Sequence, residues 1–395
     1  MEQLVADLLE RREVCAAREW LECHDAGTLA LQRALAEIPA PTGAEELRGA
    51  LVAERFEELN LADVRRDGAG NVLGRLGPNG GVGVVLAAHL DTVFGPETDL
   101  TVRDAGPRLV GPGIGDNARG LAALLAVAGA CRAAGIEPPL PLTFAATVGE
   151  EGHGDLRGAK HLFEDPAFRP HAFIAVDGAG LERVVHRALG SRRMRATFRG
   201  PGGHSWAAFG VANPAHAVGI ATSQIHDIPL PPRPRASASV VRLGGGSGLN
   251  TIPQEAWLEL DLRSEHEAAL ESLYGSVAQV LGRALDLVNR RRTAGTTPLT
   301  LQLDSLGQRP SGATDEQHPL VRAAVAATRA LGATPALAAA STDANVAISR
   351  GVPGIALGAG GRGGDAHLPS EWYENVNGPA GILRALVVAL AVAET

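Results

Sequence analysis

Three apolar runs dominate the hydrophobic pattern of the chain: VGVVLAA (Val82 to Ala88), PLTFAATV (Pro141 to Val148) and HAFIAV (His171 to Val176). None alternates strictly between apolar and polar positions, which predicts strands covered on both faces in a parallel sheet. Each run stops at acidic or histidine residues: HLD, GEEG and Asp177 respectively. Ligands of open α/β sheets sit beyond the carboxyl ends of the strands, so the three run ends predict one shared site.

Around these runs the spacing is helical. From about Glu2 to Leu59 it predicts two or three helices broken at PAPTG, with Thr42 placed to cap a helix carrying Glu45 and Glu46 in its first turn. A hairpin over Leu100 to Val110 precedes GPGIGDNARG, which leads into an alanine- and leucine-rich helix from about Asn117 to Ala133. From Gly190 the texture changes. MRATFRG, ASASVVRL and AWLELDLRS alternate like half-buried strands, with helices near Pro214 to Ile225 and from about Glu265 to Arg290. After TPLTLQL come a helix near His318 to Leu331, the strand PGIALG and a helix from about Gly378 to Val392. The predicted fold class is α/β: a mostly parallel, three-layer α/β/α unit formed by residues 1–188 and 305–395, with a smaller α+β unit, residues 189–304, inserted in it.

Bulk properties narrow the function. At 395 residues two packed units are the ordinary expectation. A formal charge of -8 and no long run of like charge argue against a nucleic-acid partner. The apolar stretches between Arg119 and Arg132 and after Arg384 fall short of the ~18 to 20 residues of a membrane span. Cys15, Cys23 and Cys131 form no CxxC pair, which suits a reducing compartment, and the acidic start MEQLVADLLERRE is unlike a signal peptide. A cytoplasmic protein is expected.

The candidate chemistry lies at the run ends. His89 and Asp91, two apart in a strand-like segment, can place a carboxylate beside an imidazole, although a strand-end histidine with a capping aspartate reads equally well. Glu150 and Glu151, flanked by Gly149 and Gly152, would repel each other unless a cation separated their duties; the plain alternative is a solvated acidic turn. Asp116 lies among glycines that let backbone approach a ligand, or it simply caps the next helix. Gly358, Gly360 and Gly363 match GxGxxG, but Pro369 follows where a helix would continue, so the stretch reads as a flexible loop presenting His367. No GxSxG elbow and no HExxH occur. Histidines with several carboxylates are a donor mix suited to zinc or a similar divalent ion.

In order along the chain, AAHLDTVFG, GPGIGDNARG, TVGEEGHGDLRG, the Asp-Gly at Asp177, GPGGHSW and GGDAHLPSEW resemble the zinc-dependent metallopeptidase superfamily of peptidase T, carboxypeptidase G, aminoacylase and succinyl-diaminopimelate desuccinylase, with wording nearest the peptidase T-like branch. The likeness runs from about Ile38 to the end. It implies two divalent cations, zinc ahead of cobalt or manganese, with Asp116 bridging them, His89 and Asp177 completing one site and Glu151 and His367 the other. It further implies that Asp91 orients His89, that Glu150 is the general base, and that the Asp116–Asn117 peptide bond is cis. His204, in GPGGHSW, resembles a histidine that reaches across a homodimer to stabilise an oxyanion, from an inserted ferredoxin-like lid and dimerisation domain. Asn250 and Arg263 match positions that hold the substrate's backbone or carboxylate.

Aspartate at position 177 resembles the aminopeptidase and dipeptidase members, so the resemblance implies hydrolysis of small peptides with an amino-terminal preference. An N-acyl-amino-acid deacylase or carboxypeptidase using the same metal site is the alternative, and an inactive binding protein of the same fold a remote one. The inserted unit is expected to move about Leu189 and Ser305.

Overall fold

The strand Val84–His89 pairs in parallel with Leu142–Thr147 on one side and with Ala172–Val176 on the other. The three apolar runs are therefore neighbours in the middle of a nine-stranded sheet, and every residue of the three strands is buried. The computed structural model, which describes residues 1–395, divides into two units: Met1–Ala188 with Ala313–Thr395, and Leu189–Gly312.

In the larger unit, successive side chains of the central strand leave on opposite faces. Val84, Leu86 and Ala88 pack with the helices Ala118–Ala134 and Gly378–Ala393, whereas Val85 and Ala87 pack with Leu162, Ala344 and Ala347 on the helices Arg157–Leu162 and Ala344–Ser349. The sheet thus lies between two helical layers, which is why its three central strands carry no polar face. Gly354–Leu357 extends it in parallel beside Ala172–Val176, and Val72–Leu76 and Ala62–Arg66 close the other edge antiparallel. Ala118–Ala134 is buried over most of its surface, as an alanine-rich helix without a polar stripe should be. Asn117 caps it by accepting the Gly120 N–H, and Gly135, left-handed at φ 64, ends it.

Several expectations are corrected. The chain opens with four helices, Glu2–Glu10, Arg12–Cys23, Asp25–Glu37 and Glu46–Glu58, because extended backbone at Arg11 separates the first two. Thr42 caps none of them; its hydroxyl donates to Asp91 Oδ2 at 2.8 Å. His367 is presented not by a free loop but by the turn of a hairpin, Arg362–Gly364 with Trp372–Glu374, which joins Arg103–Ala105 and Arg108–Val110 in a small four-stranded sheet.

The smaller unit is an antiparallel sheet in the order Ala236–Gly245, Glu255–Ser264, Gly190–Arg199, Thr300–Arg309, with the helices Pro214–His226 and Glu267–Arg291 packed on it. Ala256, Leu258, Leu260 and Leu262 alternate into that core. Its last strand continues past residue 304: Ser305 pairs with Met194, and the pairing runs on to Arg309 opposite Ser191. The unit therefore ends at Gly312, and Ser305 lies inside a strand of it. No helix of the chain is long and apolar enough to cross a membrane.

Candidate metal centre

Parallel pairing brings the three strand ends to one edge of the sheet. His89 is the last residue of its strand and lies opposite Thr147, two residues before the turn that carries Glu150 and Glu151; Asp177 directly follows Val176. Asp116 arrives from the turn before helix Ala118–Ala134, immediately ahead of a cis peptide bond to Asn117, and His367 from the hairpin turn. Asp116 lies between two histidines: Oδ1 is 3.0 Å from His89 Nε2 and Oδ2 is 3.2 Å from His367 Nε2. His89 Nε2 also lies 3.9 Å from Asp177 Oδ1, and His367 Nε2 lies 2.9 Å from Glu151 Oε1. The residues expected from the sequence at His89, Asp116, Glu151, Asp177 and His367 are thus brought together, with Glu150 beside them.

Three groups place their possible ligand atoms within 4.8 Å of one another: His89, Asp116 and Asp177; Asp116, Glu151 and His367; and His89, Glu150 and Glu151. The first two share Asp116, each taking a different carboxylate oxygen. This imidazole and carboxylate set fits zinc or a comparable divalent ion. The electrostatics agree with the fit. Burial, and then the neighbouring Asp116, push the Asp177 carboxyl up to about 7, a repulsion that a cation would relieve. Burial works against charging both His89 and Asp116, yet their hydrogen bonds win, so His89 is raised well above the ordinary histidine value and Asp116 is held below the usual carboxylate range. Hydrogen bonds with Asp116 and Glu151 raise His367 to about 10.

A layer of buried polar groups fixes these side chains. Asp91 accepts the backbone N–H groups of Glu150 and Glu151, both at 2.9 Å, and so shapes the turn that presents the two glutamates. Its bearing on His89 is shared: His89 Nδ1 lies 3.0 Å from the Asp91 backbone carbonyl and 3.5 Å from the carboxylate. Arg48, fully buried, donates to the carbonyls of Leu90 and Ile38. Glu45 accepts the N–H of Gly149 at 3.0 Å.

Arg48 has no counterpart among the sequence expectations, and neither does a second supporting residue. Glu371, buried, accepts the backbone N–H groups of Gly113 (2.9 Å), Gly115 (2.8 Å) and Asp116 (2.7 Å), and so sets the loop that delivers Asp116. Burial pushes its carboxyl up to about 7, against the pull of those three donors. A side chain at Gly115 would stand 2.9 Å from the Glu371 carboxylate. The sequence holds no local signal for this bond, since donor and acceptor lie 255 or more residues apart.

The other three candidates belong to the smaller unit. Gly203–His204 pairs with Thr251–Ile252, and the Asn250 carbonyl accepts the Ser205 N–H, so His204 and Asn250 are neighbours at an exposed corner. His204 Nδ1 accepts the Trp206 N–H at 3.2 Å, which puts the proton of the neutral ring on Nε2. Arg263 stands apart from them on the strand Glu255–Ser264, and its Nε donates to Asp261 at 2.9 Å.

Comparison with known proteins adds an independent line. A family model described as Peptidase family M20/M25/M40 matches residues 85–394. No curated protein sequence matches the chain. Solved structures of similar fold include a tripeptidase from Staphylococcus aureus, with a TM-score of 0.77 and 21% identity over 93% of this chain and 98% of that one. The aminopeptidase PepT of Bacillus cereus gives 0.72 and 20%, covering 96% and 99%. The di-peptidase Dug1p of Saccharomyces cerevisiae gives 0.74 and 14%, covering 98% and 100%. At these identities the likeness is one of fold.

Proposed function

The chain belongs to peptidase family M20/M25/M40, a family of metal-dependent hydrolases, and from that membership we propose a dinuclear zinc peptidase that cleaves small peptides from the amino-terminal side. The observation that carries the metal assignment is the double role of Asp116, whose two oxygens each meet a different histidine in a separate ligand group. In this reading His89 and Asp177 complete one site, Glu151 and His367 the other, and Asp91 holds the turn behind them. Cations held there would supply Lewis acidity toward the scissile carbonyl and would lower the pKa of bound water from ~15.7 toward ~7.

The chain's own groups do the proton work. Glu150 takes a proton from the attacking water and passes it to the departing amine. His204, its proton on Nε2, donates to the oxygen that gains charge in the tetrahedral intermediate, from the partner copy of a homodimer. Asn250 and Arg263 hold the substrate's backbone or carboxylate, a task suited to an arginine whose guanidinium keeps donors beyond the one given to Asp261.

The amino-terminal preference draws support from aspartate at position 177 and from the tripeptidase, aminopeptidase and di-peptidase activities in the names of the proteins of similar fold. The test is a panel of free-amine di- and tripeptides, N-acyl amino acids and carboxypeptidase substrates, assayed with zinc, cobalt or manganese. Hydrolysis of the free-amine peptides is the expected result. Turnover of N-acyl amino acids alone would make the protein a deacylase with the same metal site.

A further inference from the structure

A cavity of 530 Å³ opens beside the ligand cluster and is lined by Asp116 and Asp177 at one side and by Glu182, Arg183, Arg362 and Glu371 elsewhere. Its size falls in the range of small-molecule sites, roughly 300–1,000 Å³. All of these residues belong to the larger unit.

The charges of the cavity are unevenly committed. Glu371 is occupied by three backbone N–H groups. Glu182 accepts the Leu181 N–H at 3.1 Å, and its charge bears on the buried guanidinium of Arg384. Asp116 and Asp177 are the carboxylates assigned to the cations. Arg183 and Arg362, by contrast, are exposed and give their guanidinium groups to no side chain or carbonyl of this chain. Two uncommitted guanidiniums in a cavity whose carboxylates are all otherwise engaged form a receptor for an anion, and guanidinium geometry matches a carboxylate with two parallel N–H···O bonds.

We propose that this cavity is the specificity pocket for an acidic side chain: Arg183 and Arg362 bind the carboxylate of an amino-terminal glutamate or aspartate, while the adjoining peptide bond lies at the ligand cluster. This assignment rests on the peptidase reading above for the identity of the substrate, but the pocket's preference for a carboxylate over an amide can be measured without turnover.

L-glutamate and L-glutamine, which share the α-amino acid part and differ only at the side-chain terminus, serve as probes in calorimetric titrations of the zinc-loaded protein. Glutamate should bind at least about tenfold more tightly than glutamine, the size of effect expected of a charge-assisted pair. That ratio should collapse toward one in the double variant Arg183→Ala with Arg362→Ala. In turnover, kcat/KM for Glu-Ala over Gln-Ala should follow the same ratio and the same loss. Equal binding of the two amino acids, or a ratio that survives in the double variant, overturns the pocket assignment even if peptides are cleaved. Selective glutamate binding without cleavage of any peptide upholds the pocket and removes the peptidase reading instead.

Discussion

The candidate residues of the larger unit and those of the smaller one are held in different ways. His89 ends a buried parallel strand, Glu150, Glu151 and Asp177 follow two others, and Asp91, Glu371 and Arg48 bind backbone beside the cluster, so most of its geometry is fixed by the core. His204 ends one strand of a two-residue pair at the surface and Asn250 immediately precedes the other, next to Trp206 and Leu249, which are themselves exposed, and Arg263 shares its charge with Asp261. A set of groups proposed to share cations needs preorganisation; burial supplies it for His89 and Glu151, while the exposed His367 is placed by its hairpin and by its contacts with Asp116 and Glu151. The oxyanion donor proposed at His204 would need only the right tautomer and access, and the Trp206 N–H together with exposure is compatible with both.

The contrast can be broken at its strongest point by Asp116→Ala. Because Asp116 belongs to two ligand groups, the variant should lose bound metal and turnover together, which elemental analysis and a peptide assay would show; retention of a full metal complement would end the dinuclear assignment. Glu150→Gln should lower kcat by about 10²–10⁴-fold with the metal content unchanged, the range for loss of a general base.

On the other side of the comparison, His204→Ala should lower kcat by roughly 10²–10³-fold while thermal stability and metal content stay at the parent level. If His204 acts across a dimer, mixing this variant with Glu150→Gln should restore activity that neither has alone, and an inert mixture would confine His204 to its own chain. The smallest effect sharpens the argument about support. Glu371→Gln turns one acceptor of the Gly113, Gly115 and Asp116 N–H groups into a donor, so metal affinity should weaken by about 10–100-fold, as for other residues that orient a ligand from behind. Unchanged affinity by competition with a chelator would show that the loop keeps its shape without that carboxylate.

How much of this was visible in the sequence depended on distance along the chain. His89, Glu151 and Asp177 announce themselves because each follows an apolar run, and such a run has few interpretations. Asp116 and His367 sit in glycine-rich segments where periodicity says nothing, and only the order of motifs singled them out. The strands Ala62–Arg66 and Arg183–Ala188 give no clear signal in the sequence because their polar residues mimic loop, and the strand Thr300–Arg309 does not show its extent past residue 304 because it is largely exposed and carries no apolar run.

By itself, the sequence determined the layered α/β architecture, the insertion of a second unit and the set of residues with the chemistry to hold metal, since hydrophobic period and side-chain type are local properties. Tertiary structure alone decided that both oxygens of Asp116 meet histidines, that Glu371 fixes the Asp116 loop from 255 positions away, and that Arg183 and Arg362 share one cavity. Those facts arise from contacts between segments remote in sequence, which only the packing of the sheet and its helices brings within reach.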